Sequence, residues 1–244
     1  MSTMLRVLAA GSLRPVWPAL MAAFSAQGGA GAETRFGPAG LLRQRIEQGE
    51  PCALFASASQ AHADALVQQG LASESGAFAA NSLCLTARAE ITGKNDSWLT
   101  LLQRPSLRLA TSTPRSDPSG DYTWQLFAAL ERRYPGLGAD LRQRAQRLVG
   151  GADSLALPDG ALAAHWLLSN GHADLFIGYA SYAPRLAAIP ALKVFVIPAA
   201  DNVLARYGYA VCQPAAQPLA RFLHSQTAQT LLRQHGFLLP APQS

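Results

Sequence analysis

The sequence predicts an α/β protein made of two lobes with a central cleft, and three observations predict it. Strand-like and helix-like segments alternate along the whole chain, which argues for largely parallel sheets joined by helical crossovers. The 244 residues are 49% hydrophobic, enough to bury a sizeable core in one large domain or two small ones. Two sets of βα units then follow one another with no flexible linker between them, as two lobes packed face to face would require; ligands bind in clefts between lobes. The expected boundaries are residues 1–82 with 205–244 for the first lobe and 83–204 for the second.

The elements follow in order. Arg6-Val-Leu-Ala-Ala-Gly-Ser-Leu13 runs from an apolar strand into glycine, serine and a helix start. Gly11 lets the backbone turn closely, and the first N–H groups of the next helix lack intrahelical partners, which favours anions there. Val16, Leu20, Ala23 and Phe24 recur at helical spacing, with the helix expected to begin near Pro15 and to stop at Gly28-Gly29. Residues 33–37 read as a strand, Pro38-Ala-Gly40 as a turn, and Leu41 to Glu47 as an amphipathic helix closed by Gly49. Cys52 to Ser57 is a strand, Ala61 to Gln69 a helix, and Asn81 to Arg88 a strand. A second set opens with a helix over 98–103, a strand over 107–111, the turn Asp117-Pro-Ser-Gly-Asp-Tyr122 and a helix to Tyr134. Residues 150–160 are loop-like, 162–169 helical, 174–179 a strand, 192–197 and 207–212 further strands, and Leu219 to Gln234 one closing helix. Strand, small-residue turn and helix thus recur around Ser12, Ala39 and Ser119, giving three turns able to face an anion.

Composition narrows the function. The formal charge of +5 comes from scattered arginines, and only 14% of residues are charged, so no basic stripe points to nucleic acid. Cys52, Cys84 and Cys212 form no CxxC pair, and buried free thiols are the expectation. The five histidines show no metal-ligand spacing, so no metal site and no cofactor is assigned. No apolar run approaches the roughly 20 residues that a bilayer needs, and no signal-peptide pattern is read before the first strand, so either a leader has been replaced or a cytosolic protein is the expectation. There is no GxSxG, P-loop, zinc motif or carboxylate dyad; no catalytic residue is assigned, and binding without catalysis is expected.

AAGSL at 9–13, RFGPAGLLRQRIEQGEPCALFASA at 35–58, DPSG at 117–120, GHADLFIGYASYA at 171–183 and FLHSQTAQTLLRQHGF at 222–237 occur in an order that resembles the molybdate-binding proteins of ABC importers. The resemblance covers nearly the whole chain and implies two Rossmann-like lobes of the type II periplasmic-binding-protein architecture. It implies a small tetrahedral oxyanion, molybdate or tungstate, held in the interlobe cleft by hydroxyls and backbone N–H groups and delivered by a periplasmic monomer to a membrane permease. Matched residue by residue, Ser12 is the first serine and Tyr179 the tyrosine hydroxyl. Backbone donors fall at Ser119 and Gly120 in the DPSG turn and at Ala161. The second family serine falls at Ala39, next to Gly40, so one hydroxyl is missing there. That departure leaves room for a different small anion, with help from Arg14, Arg115, Tyr122 or Ser154. Other readings are a cytosolic anion-sensing effector domain, placed in the cytoplasm, and an enzyme of unrecognised type.

Overall fold

The computed structural model describes residues 4–240. The chain divides into two compact units, Met1–Asn81 with Ala205–Ser244, and Ser82–Leu204. In chain order the first unit contains β1 (Leu5–Ala10), α1 (Trp17–Ala26), β2 (Ala32–Gly37), α2 (Ala39–Glu47), β3 (Leu54–Ser57), α3 (Gln60–Gln68) and β4 (Glu74–Asn81). The second unit contains β5 (Leu83–Arg88), α4 (Trp98–Leu102), β6 (Leu109–Ser112), α5 (Pro118–Arg133), α6 (Leu137–Arg144), β7 (Gln146–Val149), α7 (Ala163–Ser169), β8 (Leu175–Tyr179), α8 (Ala183–Ala187) and β9 (Leu192–Val196). The chain then returns to the first unit as β10 (Ala205–Val211), α9 (Gln217–Leu223) and α10 (Gln226–Gln234).

Each unit holds a five-stranded sheet, ordered β2-β1-β3-β10-β4 in the first and β7-β6-β8-β5-β9 in the second. The sheets are largely parallel, as expected, and each also carries one antiparallel strand. β10 runs antiparallel to both β3 and β4, and β5 runs antiparallel to both β8 and β9. The two orders are the same pattern, because in each the fourth place is taken by the first strand after the chain crosses into that unit. A strand arriving from outside the local βα succession needs no right-handed crossover from its neighbours, so it is free to pair antiparallel. At the second crossing Asn202 acts as a substitute peptide: its Oδ1 accepts from Leu83 N at 3.1 Å and its Nδ2 donates to Leu83 O at 2.8 Å.

The central strands are apolar without alternation, as sheets covered on both faces demand. β3 is buried at all four positions, and β8 at all five. One face of the first sheet packs Leu8, Phe55 and Ala210 against Leu42 and Ile46 of α2 and Leu66 of α3. In the second unit Ala110 and Phe176 pack with Leu167 and Leu168 of α7 and Leu186 of α8. Trp17 is fully enclosed at the start of α1, and its ring N–H is satisfied by Thr34 Oγ1 at 2.9 Å.

Three local expectations need correction, and four elements were not expected. α1 begins at Trp17, not near Pro15, because Gly11–Leu13 forms a 3-10 turn first; Pro18 then sits in the first helical turn, where its missing N–H costs nothing. The Asp117–Tyr122 turn is the start of α5, with Asp117 as N-cap and Pro118 as first helical residue. The closing helix is two helices, divided where Ser225 Oγ accepts Ala228 N at 3.2 Å and caps α10. β4, β7, α6 and α8 carried no clear local pattern; β4 is ESGAFAAN, whose small residues lack the branched side chains that mark a strand.

Candidate functional site

In the first unit β1, β2 and β3 run parallel, so their C-terminal ends lie along one edge of the sheet. Ala10 pairs with Gly37, and Ser12 and Ala39 therefore each follow by two residues the ends of neighbouring strands. Ser57 closes β3 at the same edge, opposite Gly208 of β10, and its Oγ accepts Ser59 N at 3.0 Å. The N-terminal end of β10 and the C-terminal end of β4 complete this edge, with Ala205 opposite Asn81. Ligands of α/β sheets bind at such carboxyl ends.

Ser12 is held by a partner 195 positions away, its Oγ lying 2.7 Å from Tyr207 OH. Asn81 Nδ2 donates to the same phenol oxygen at 3.4 Å. The phenol is the stronger acid of the two hydroxyls, which favours the order Asn81 to Tyr207 to Ser12 and leaves the Ser12 proton for another acceptor. Beside it, α2 starts without a side-chain cap, since its N-cap is Pro38. Leu42 N is the first to find a helical acceptor, Pro38 O at 2.9 Å, which leaves Ala39, Gly40 and Leu41 as the orphan donors of the first turn. Ala39 and Gly40 are both buried, and the Arg14 guanidinium stacks 4.9 Å above the Phe36 ring, two residues before Pro38. A hydroxyl, uncapped N–H groups and a tethered cation thus stand together at this edge, a set of groups whose chemistry favours negative charge.

The second unit is arranged differently at its equivalent edge. Tyr179 ends β8 opposite Leu83, and its ring meets that of Tyr122 edge-on with centroids 6.5 Å apart. At the start of α5, Asp117 Oδ1 accepts Ser119 N at 3.2 Å, and its main-chain oxygen accepts Gly120 N at 2.9 Å. The two N–H groups expected to meet an anion are thus already satisfied by Asp117, one by its side chain and the other by its main-chain carbonyl. Its other oxygen accepts from Ser112 Oγ at 2.5 Å. Burial lifts the Asp117 carboxyl above the ordinary range, against the opposing pull of the Ser112 hydroxyl and the Ser119 N–H. Gly120 is required by approach: a Cβ there would lie 2.5 Å from Pro114 N and 2.5 Å from Thr113 C. Gly150, at φ 77°, leaves room for Ser112 and Asp117 in the same way.

Ala161 is the remaining backbone donor that was expected. It is exposed, and its N–H donates to Pro158 O at 3.0 Å. Gly160, at φ 75°, closes this tight turn and so uses the donor internally. Of the secondary candidates, Ser154 Oγ accepts Gly151 N at 2.8 Å, and Arg115 sits at φ 71° with its N–H on Asp121 Oδ1 at 2.9 Å.

Sequence reasoning missed Tyr207, Asn81, Ser57 and the role of Asp117. Only the last had a local signal: Asp directly before Pro is an N-cap followed by a first-turn proline, which announces that the carboxylate will take a helical N–H. Among the described residues no group of three or more His, Cys, Asp or Glu could hold a metal ion, and no helix is long and apolar enough to cross a membrane.

Two α/β units of one topology, with polar groups gathered at the carboxyl ends of their strands, define a binding protein of the type II architecture. The chain belongs to the bacterial extracellular solute-binding proteins, whose family model matches residues 5–238. It is 44% identical over 236 residues to an uncharacterized protein of Pasteurella multocida, covering 96% of this chain and 98% of the relative. Among solved structures it is similar in fold to the periplasmic molybdate-binding protein of Azotobacter vinelandii, with a TM-score of 0.76, 23% identity, and 97% and 100% of the two chains covered. The sulfate-binding protein SubI of Mycobacterium tuberculosis gives a TM-score of 0.81 at 22% identity, covering 98% of this chain and 88% of that one.

Proposed function

We propose that this chain is the solute-binding component of an ABC importer, located in the periplasm, and that it carries a small tetrahedral oxyanion to its permease as a monomer, without catalysis or cofactor. Molybdate or tungstate is the first choice of ligand. The observation that carries the reading is the edge formed by Ser12 and the uncapped start of α2, where a hydroxyl oriented by Tyr207 stands beside orphan N–H groups. A dianion there would exchange its hydration shell for fixed donors, and charge-assisted hydrogen bonds to N–H and O–H groups are the strong kind. Tyr179 is the second unit's proposed contribution, with the Ser119 and Gly120 N–H groups joining only if they exchange their present bonds to Asp117.

Sulfate is the second reading, favoured by the likeness to a sulfate-binding protein. The deciding experiment is a thermal-shift series with molybdate, tungstate, sulfate, phosphate and thiosulfate, followed by titration calorimetry on the best. Binding to the folded state alone stabilises by about 2.7 kcal/mol at a hundredfold excess over Kd, which for a chain of this size raises Tm by about 5–10 °C. One anion, or the molybdate and tungstate pair, should stand clear of the rest. A flat response from folded protein to all five removes the oxyanion reading.

A further inference from the structure

We propose that Cys52 and Cys212 form a disulfide-bonding pair, a modification site that ties the segment leading into β3 to the end of β10. The ladder between these strands ends with Val211 opposite Leu54, and it continues as Cys212 N and Gln213 N both donate to Ala53 O, at 2.9 and 3.2 Å. Continuing that register puts Ala53, not Cys52, directly opposite Cys212, so the two cysteines are diagonal neighbours offset by one residue across the pair. A disulfide accepts Cα separations of about 4.4–6.8 Å. Both side chains enter the same apolar cluster, Cys52 among its buried members with Leu8, Leu42 and Phe55, and Cys212 packed against it from a half-buried position.

The two thiols are within hydrogen-bonding reach of each other, and their environments divide the labour. Donating to its neighbour, together with burial, pushes the Cys52 thiol up, whereas the Cys212 thiolate is favoured because Cys52 donates to it. Cys212 is also the more accessible of the two, so it is the attacking group. Its thiolate attacks one sulfur of an external disulfide, RS–SR, forming a mixed disulfide and releasing RS⁻. The Cys52 thiol gives its proton to that released thiolate, attacks Cys212 Sγ and expels the second RS⁻. Two protein thiols are oxidised and one external disulfide is reduced to two thiols. Membership of an extracellular family places the chain where such a bond persists. The third cysteine, Cys84, lies in the other unit, buried, with its thiol pushed up to about 12 by that burial, and serves as an internal control.

The test uses the reduced, folded full chain with oxidised glutathione at neutral pH, followed by alkylation, thiol titration and peptide mass mapping without reductant. Two of the three thiols should disappear, the peptides containing Cys52 and Cys212 should be joined, and Cys84 should be alkylated; dithiothreitol should reverse the change. The oxidised form should melt about 5–10 °C above the reduced form, since the bond closes a loop of well over a hundred residues. In Cys52→Ser the reaction should stop at a glutathione adduct on Cys212, and Cys212→Ser should give no adduct at Cys52. The wild-type map alone overturns the proposal if all three thiols survive, if the adduct on Cys212 is the end product, or if the bond joins different molecules.

Discussion

At the scale of single residues, the site edge of the first unit depends on hydroxyl order. Ser12 can offer its proton to an anion only while Tyr207 supplies the bond that fixes its oxygen, and Asn81 biases Tyr207 toward that role. Tyr207→Phe keeps the ring, which meets Phe78 and Phe237 edge-on, and removes only the hydroxyl. An ordinary hydrogen bond is worth about 1 kcal/mol, so anion affinity should fall about fivefold, measured by calorimetry on the anion that the wild type prefers; unchanged affinity would separate Ser12 from the site. Ala39→Ser tests the neighbouring position from the other direction. It places a hydroxyl at the uncapped start of α2, and a bond to a charged partner is worth about 1.5–3 kcal/mol before any loss to imperfect geometry. Molybdate affinity should rise several-fold by titration. If instead binding of the preferred anion weakens, Ala39 is making room for a larger or differently shaped ligand.

At the scale of elements, α2 and α5 show how two helix starts that look alike in sequence come to differ. α2 has Pro38 at its N-cap and leaves its first donors unused, whereas α5 has Asp117, which occupies them. Asp117 is held above the ordinary carboxylate range by burial. A carboxyl with a raised folded-state value contributes stability that is fully present below its unfolded value and is lost as pH rises through the raised one. Asp117→Asn can still accept from Ser119 N but does not ionise. The stability of the variant relative to wild type should therefore increase as pH rises from about 4 and level off once Asp117 is ionised. Paired Tm measurements across that range check it, and a difference independent of pH would show that Asp117 is charged throughout. Asp174, at the start of β8, is the opposite case. Burial alone would raise it, but Arg108, through side chain and main-chain N–H, and Arg88 together hold it below the ordinary range. Its contribution is present at neutral pH and is lost on acidification.

At the scale of the whole molecule, the sequence by itself determined the alternation of strands and helices, the apolar central strands and the strand-to-helix junctions at Ser12 and Ala39, because all of these are written in contacts a few residues apart. Hydrophobic period, glycine stops and first-turn prolines act locally, and local physics is legible without a fold. Two things were decided only by tertiary structure. The antiparallel fourth strand of each sheet depends on β5 and β10 arriving from the other unit, which no local pattern encodes. Finally, the partner that orients Ser12 is Tyr207, reached only when β10 returns beside β3. A residue's chemical type is fixed by the sequence, but which of its hydrogen bonds remain to be offered is a property of neighbours, and in this chain the neighbours that matter are nearly two hundred positions away.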